Sequence, residues 1–73
     1  LTYKVNVMEI GKLAKDYAKM ELEIQVCKSA RGYYIGTMYN GEPISRESES
    51  YYATETSAEF ALKHSTWTQR SHP

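Results

Sequence analysis

An Asn-Gly pair at residues 40 and 41 constrains the fold more than any other feature. It follows a run of aromatic and β-branched residues from Tyr33 to Tyr39 and precedes a segment, Ile44 to Tyr52, that ends in two tyrosines. Asn and Gly most readily adopt the positive φ that a two-residue type I′ turn requires. The sequence therefore predicts a β-hairpin. Pro43, which cannot donate to a ladder, is expected at the start of the return strand or on an outward edge.

Changes of hydrophobic period divide the rest of the chain into short elements. Residues 2–7 alternate as a half-buried strand does, although Leu1 opens the chain and Met8 is an alternative start, so this segment need not be wholly native. Residues 9–20 carry a helical apolar stripe, and residues 22–28 alternate again. Thr56-Ser57-Ala58-Glu59 fits a capping box, which predicts a helix that begins at Thr56 and ends near His64.

These elements predict a single α+β domain over residues 1–73, with the order β-α-β-β-β-α. We expect a mainly antiparallel sheet of three or four strands with two helices on one face, followed by a polar tail at residues 66–73. From Glu9 onward the order is that of double-stranded RNA-binding domains. Such domains need a basic start to the second helix, whereas Thr56 to Glu59 is acidic, so that function is rejected.

Length and charge limit the classes of function. A 73-residue domain buries only about 60% of its unfolded surface, so a second subunit would add stability and we expect a homodimer. Nine Lys or Arg residues balance nine Asp or Glu residues. This balance argues against a protein held to nucleic acid mainly by phosphate neutralisation, because such proteins carry a basic excess.

The cysteine count and the hydropathy indicate the compartment. Cys27 is the single cysteine, so it cannot form an intramolecular disulfide, and a reducing cytosol is the expected environment. No apolar run approaches the roughly 20 residues of a membrane span, and no signal peptide is recognisable. We therefore expect a cytoplasmic protein that does not associate with membranes.

No residue pattern predicts catalysis, a cofactor or a metal. His64 and His72 have no partner at metal-ligand spacing, and no serine lies in a Gly-x-Ser-x-Gly motif. Glu47 and Glu49 would share one face of a strand, but solvated strand carboxylates are commoner than an acid and base pair. The sequence therefore predicts a protein that is not an enzyme.

Tyrosine is the compositional anomaly, with seven copies, five of which fall between Tyr33 and Tyr52. In a strand, Tyr33 and Tyr39 share one face and Tyr34 lies on the other. One face must pack on the helices, which leaves the second partly exposed, either as ordinary sheet packing, which is favoured, or as a binding face. Trp67 is expected to fold back onto the core; otherwise it forms an interface anchor with Arg70. The candidate interaction surface consists of Tyr33, Tyr34, Tyr39, Arg46, Tyr51, Tyr52, Trp67 and Arg70.

Five short motifs are spread over residues 32–70: Gly32-Tyr33-Tyr34-Ile35-Gly36-Thr37, Gly41-Glu42-Pro43, Ser45-Arg46-Glu47-Ser48, Tyr51-Tyr52 and Trp67-Thr68-Gln69-Arg70. Together they resemble a group of small uncharacterised proteins from bacterial plasmids and other mobile elements. The resemblance implies a bacterial, mobile-DNA setting and no established activity. No functional residue is carried over from it.

The sequence thus favours a small bacterial protein-interaction or accessory module that forms a homodimer and has an unidentified protein partner. The alternative is a single-stranded nucleic-acid binder that uses the tyrosine-rich face together with Arg31 and Arg46. The two differ in what surrounds the aromatic side chains, because a nucleic-acid binder needs positive charge there.

Overall fold

A computed structural model of the protein describes residues 9–73. These residues form a three-stranded antiparallel sheet, in the strand order β1-β2-β3, and two helices. The elements in chain order are α1 (Lys12–Ala18), β1 (Gln25–Ser29), β2 (Gly32–Tyr39), β3 (Glu42–Arg46) and α2 (Glu55–His64). The α+β class is confirmed. Within the described residues α1 precedes the whole sheet, which corrects the predicted order β-α-β-β-β-α to α-β-β-β-α; the strand predicted at residues 2–7 lies outside them.

The predicted hairpin turn is confirmed. Asn40 and Gly41 have φ values of 51° and 80°, and Tyr39 pairs with Glu42 directly across the turn. Positive φ at both central residues is the type I′ geometry, whose twist matches that of the flanking strands. Pro43 is exposed on β3, which is an edge strand, so its missing N–H leaves no gap in the sheet.

The return strand is shorter than predicted, because it ends at Arg46 rather than at Tyr52. The Ile35 N–H donates to the Ser48 hydroxyl at 3.0 Å, and the Ile35 carbonyl accepts from the amides of both Glu47 and Ser48. A side chain thus replaces the next backbone acceptor, and the chain leaves the ladder. Tyr52 returns to β2 only as an isolated bridge to Tyr33.

Helix α1 is also shorter than the predicted 9–20 segment. Ile10 forms an antiparallel bridge with Glu23 and Gly11 is extended, so the helix starts only at Lys12, and Lys19 ends it with a φ of 59°. Leu13 and Ala14 are buried, whereas Tyr17 is 60% exposed. The apolar periodicity overstated the helix because part of its stripe belongs to the bridge and part faces solvent.

The N-cap of helix α2 lies two residues earlier than predicted. Thr54 is the N-cap, and its hydroxyl oxygen accepts from the Ser57 N–H at 3.1 Å. Thr56 lies inside the helix, so its predicted capping role is wrong. The sequence offers two Thr residues spaced for a cap, and the earlier one takes the role.

The core lies between α2 and the first two strands. Buried Ile24, Ile35 and Ala61 form its centre, and Tyr52, Leu62 and Trp67 pack against them. Trp67 therefore folds back onto the core, as expected. Helix α2 contacts β1 and β2, and α1 contacts β3. No helix in residues 9–73 is long and apolar enough to cross a membrane.

Candidate interaction surface

The centre of β2 is covered on both faces. Residues 34–37 are all buried. The register pairs Tyr34 with Cys27 and Gly36 with Arg46, which places these four on the face opposite Ile35 and Thr37. The sequence left open which of the two faces is exposed, and Tyr34 is only 6% exposed, because other side chains of its face cover it.

We call Tyr34, together with the Arg46 and Tyr51 side chains of the same face, the aromatic layer. A Cβ at Gly36 would lie 2.7 Å from the Tyr34 ring, so the absence of a side chain lets the ring lie over the strand. The Tyr34 and Tyr51 rings meet edge to face, with centroids 5.9 Å apart. The Arg46 guanidinium lies over the Tyr51 ring, 4.4 Å from its centroid.

The Arg46 guanidinium is held on a second side by the backbone. Its Nη1 donates to the carbonyl oxygens of Ser48 at 2.8 Å and of Glu49 at 2.7 Å. Arg46 and Tyr51 are both half-buried. The layer therefore presents a planar cation and an aromatic ring in one fixed arrangement, with part of each accessible.

Two titratable groups of this face, Cys27 and Tyr34, are held in their neutral forms. Burial raises the pKa of the Cys27 thiol, and burial together with the neighbouring Cys27 raises the pKa of the Tyr34 phenol. A thiol must ionise to act as a nucleophile. Cys27 is therefore a packed side chain in this site and not a reactive one.

The other predicted surface residues lie elsewhere. Tyr33 and Tyr52 are joined by two backbone hydrogen bonds of 2.8 and 2.7 Å, and Lys28 lies 5.6 Å from the Tyr33 ring centroid. Trp67 packs with Tyr52 on the core. Tyr39 is 51% exposed beside the hairpin turn, and the Arg70 amide donates to the Glu47 carbonyl. The eight predicted residues thus do not form one surface, and only Tyr34, Arg46 and Tyr51 make the aromatic layer.

A groove of about 370 Å³ lies against α2 and was not predicted from the sequence. Its lining residues are Tyr52, Thr56, Ser57, Phe60, Ala61 and Thr66. Phe60 is 61% exposed, and the centroid of its ring lies 4.2 Å from the centroid of the His64 ring. The signal in the sequence is that Phe60 falls beside the Ala58 and Ala61 stripe that α2 buries.

Glu47 was expected to be a solvated strand carboxylate and is instead completely buried. Its Oε1 accepts from the Leu13 N–H at 2.9 Å and from Gln69 Nε2 at 2.8 Å. Its Oε2 accepts from the Ala14 N–H at 3.0 Å and from the Ser45 hydroxyl at 2.6 Å. The carboxylate therefore joins the start of α1, the end of β3 and the C-terminal segment.

The hydrogen bonds decide the protonation state of Glu47. Burial by itself raises the pKa of a carboxyl group, but the bonds from Leu13, Ser45, Gln69 and Ala14 outweigh burial and hold the pKa of Glu47 below its ordinary value. The group is charged and fully satisfied, and it is closed to solvent. It is suited to holding the fold together and not to touching a substrate.

The C-terminal segment is attached to this carboxylate. Ser48 and Gln69 form an antiparallel bridge, and the Glu49 and Arg70 amides donate to the Thr68 and Glu47 carbonyls at 2.8 Å. Residues 68–70 are therefore paired with the segment that follows β3.

No three His, Cys, Asp or Glu residues within residues 9–73 are grouped so that they could hold a metal ion. Comparison with known proteins yields no match to a protein family model, a curated protein or a solved structure.

Proposed function

We propose that this chain is a non-enzymatic protein-interaction module and that the aromatic layer is its contact surface. In this proposal both helices cover the Ile35 and Thr37 face of the sheet, and the opposite face meets the partner. The partner is a second copy of the chain, an additional protein, or both. The resemblance over residues 32–70 supports a bacterial accessory role in a mobile-DNA setting, and the single reduced cysteine supports a cytoplasmic location.

The stack of Arg46 on Tyr51 carries the proposal. Tyr and Arg are enriched among the residues that dominate binding energy in protein interfaces. Two carbonyl hydrogen bonds and the Tyr51 ring already order the Arg46 side chain. Ordering before contact lowers the entropy that a long side chain loses on binding. Both residues therefore favour an interface at small conformational cost.

The arrangement of positive charge favours protein over a nucleic-acid strand. A single strand needs stacking rings beside cations that follow its backbone. Arg46 Nη1 is bound to two carbonyls, and Lys28 alternates with Cys27 along β1, so it lies on the opposite face of the sheet. The cations near the tyrosines are thus divided between two faces, in a chain with no net charge.

Light scattering over a range of protein concentrations tests this proposal. We expect a mass of twice the 8.4 kDa of one chain at micromolar concentration. Tyr51→Ala should weaken the dimer by about tenfold or more in dissociation constant, because it removes the ring on which Arg46 is stacked. Tyr39→Ala is the matched control, since it removes a tyrosine beside the hairpin turn, and it should leave the dimer unchanged.

A second variant separates binding from folding. Gln25 is exposed and lies on the same face as Cys27 and Tyr34, so Gln25→Arg adds a bulky charge to that face without entering the core. It should dissociate the dimer while the thermal midpoint of the diluted monomer stays unchanged. A mass of 8.4 kDa at every concentration, together with salt-sensitive sub-micromolar binding of labelled oligothymidine, would reject the proposal in favour of nucleic-acid binding.

A further inference from the structure

Residues 68–70, which we call the C-terminal strap, lie alongside residues 47–49. Gln69 pairs with Ser48 in an antiparallel bridge, and a backbone hydrogen bond of 2.8 Å joins the two segments on each side of this pair. The Gln69 side chain adds a bond of 2.8 Å from its Nε2 to Glu47 Oε1. The strap is therefore attached through both its backbone and a side chain.

One peptide group connects the C-terminal strap with the aromatic layer. It is the group that joins Ser48 to Glu49. Its N–H donates to the Thr68 carbonyl at 2.8 Å, and its carbonyl oxygen accepts from Arg46 Nη1 at 2.8 Å. A trans peptide group is planar and directs its N–H and its C=O to opposite sides. The bond to the strap therefore sets the direction of an oxygen that holds Arg46.

The segment that carries this peptide group depends on the strap for its position. Strand β3 ends at Arg46, and the chain leaves the ladder after the bonds to Ile35. Within residues 9–73, the bond from Glu49 to the strap is the last backbone hydrogen bond of the segment before that of Tyr52 to Tyr33. Detaching the strap would thus free the backbone on which the guanidinium of Arg46 rests.

We propose that the C-terminal strap positions Arg46 in the aromatic layer, and that attachment of the strap and binding at the layer favour each other. The coupling rests on the proposed function, because it takes the layer as the contact surface. With the strap attached, two carbonyls hold the Arg46 guanidinium over the Tyr51 ring. With the strap detached, the long side chain regains its rotamer freedom. Binding must then order it again, which lowers the affinity.

NMR of the Arg46 side chain, at a protein concentration below the dissociation constant of the dimer, tests the positioning role. Protons above an aromatic ring are shielded, so the guanidinium resonances should lie upfield of those of a free arginine. Tyr51→Ala removes the ring and gives the unstacked position. Arg70→Pro removes the N–H that donates to the Glu47 carbonyl, so it should move the Arg46 resonances toward that unstacked position.

Two further variants separate positioning from other effects of the proline. Ser71→Pro places the same ring one residue beyond the bonded amide, at an exposed position, and should leave the Arg46 resonances unchanged. Arg70→Ala removes the side chain but keeps the N–H, so it should leave them unchanged as well. If Arg70→Pro lowers the thermal midpoint without moving the Arg46 resonances, the strap only stabilises the fold and the proposal is overturned.

Amide hydrogen exchange in the full-length wild-type chain tests the coupling without any substitution. Coupling between two sites is reciprocal, so dimer formation should raise the protection of the Glu49 and Arg70 amides by about fivefold or more. The Ser57 amide, at the start of α2, is the internal control and should not change. Unchanged protection of Glu49 and Arg70 in a dimer that Tyr51→Ala weakens would overturn the coupling.

The two readouts distinguish failure of this inference from failure of the proposed function. A chain that stays monomeric, but whose Arg46 resonances respond to Arg70→Pro as expected, would contradict the aromatic layer as a dimer interface and support the positioning role of the strap. A dimer that Tyr51→Ala weakens, but whose Arg46 resonances ignore Arg70→Pro in the monomer, would support the interface and overturn the role of the strap.

Discussion

The two helices of this protein differ in which side chain binds the backbone N–H groups at the N-terminus. In α2, the Ser57 N–H is bound by the Thr54 hydroxyl, three residues before it. In α1, the Leu13 and Ala14 N–H groups are bound by Glu47, which follows them by 34 and 33 residues. One cap is a local motif, and the other exists only after β2 and β3 have brought a distant carboxylate to the helix.

The distant cap is the stronger of the two by its chemistry. A carboxylate at a helix N-terminus makes charge-assisted hydrogen bonds and faces the positive end of the helix dipole. Glu47 does this while completely buried, whereas the Thr54 cap is exposed. Gly11 makes room for it, because a Cβ there would lie 2.8 Å from Glu47 Oε2 and 2.6 Å from the Thr37 methyl group. The seven-residue helix α1 therefore depends on tertiary contacts.

Removing the distant cap should have the largest effect. We expect Glu47→Ala to lower the free energy of unfolding by about 3 kcal/mol or more, because it leaves two helix N–H groups, Ser45 and Gln69 without their buried acceptor. Urea denaturation followed by circular dichroism measures this. Glu49→Ala, at a neighbouring exposed carboxylate, is the matched control and should change stability by about 0.5 kcal/mol or less. Equal losses in the two variants would contradict a special role for Glu47.

Acid should weaken the same cap, with a smaller effect than deletion of the side chain. The folded pKa of Glu47 lies below its ordinary value of 4.5, so the unfolded chain takes up this proton first as pH falls. The stabilisation by Glu47 is therefore complete above the ordinary pKa and is lost as pH falls through the folded pKa. Denaturation midpoints of the wild type and of Glu47→Gln, measured from pH 7 to pH 3, should converge in acid. Parallel curves would show that ionisation of Glu47 does not contribute to the stability of the fold.

The same contrast explains what the sequence could and could not predict about the fold. Asn40 and Gly41 specify their turn through their own backbone preferences, so the hairpin was predictable. The end of β3 was not, because Ile35 is bonded by the hydroxyl of Ser48, and no periodicity reports a side chain that replaces a backbone acceptor. The role of Glu47 depends on a contact between residues more than thirty positions apart.

The candidate site shows the same limit. The abundance of tyrosine between residues 33 and 52 correctly marked an aromatic region. Alternation along β2 could separate Tyr33 from Tyr34, but it could not reveal that Tyr51 covers Tyr34, since Tyr51 follows an irregular segment. Arg46 was selected by residue type, and only its contacts show that its Nη1 is held by two carbonyls.

The local cap of α2 should produce the smallest effect and provides the most specific test of the comparison. Thr54→Ala is expected to cost about 1 kcal/mol, because the Ser57 N–H loses its acceptor at an exposed helix end where water partly replaces it. Thr56→Ala lies inside the helix and should be neutral or slightly stabilising, since Ala has the higher helix propensity. The two substitutions are chemically identical and two residues apart, so the difference in their urea midpoints isolates the cap. A larger loss of stability at Thr56 than at Thr54 would show that Thr56 caps the helix, as the sequence predicted. It would contradict the assignment of the local cap to Thr54.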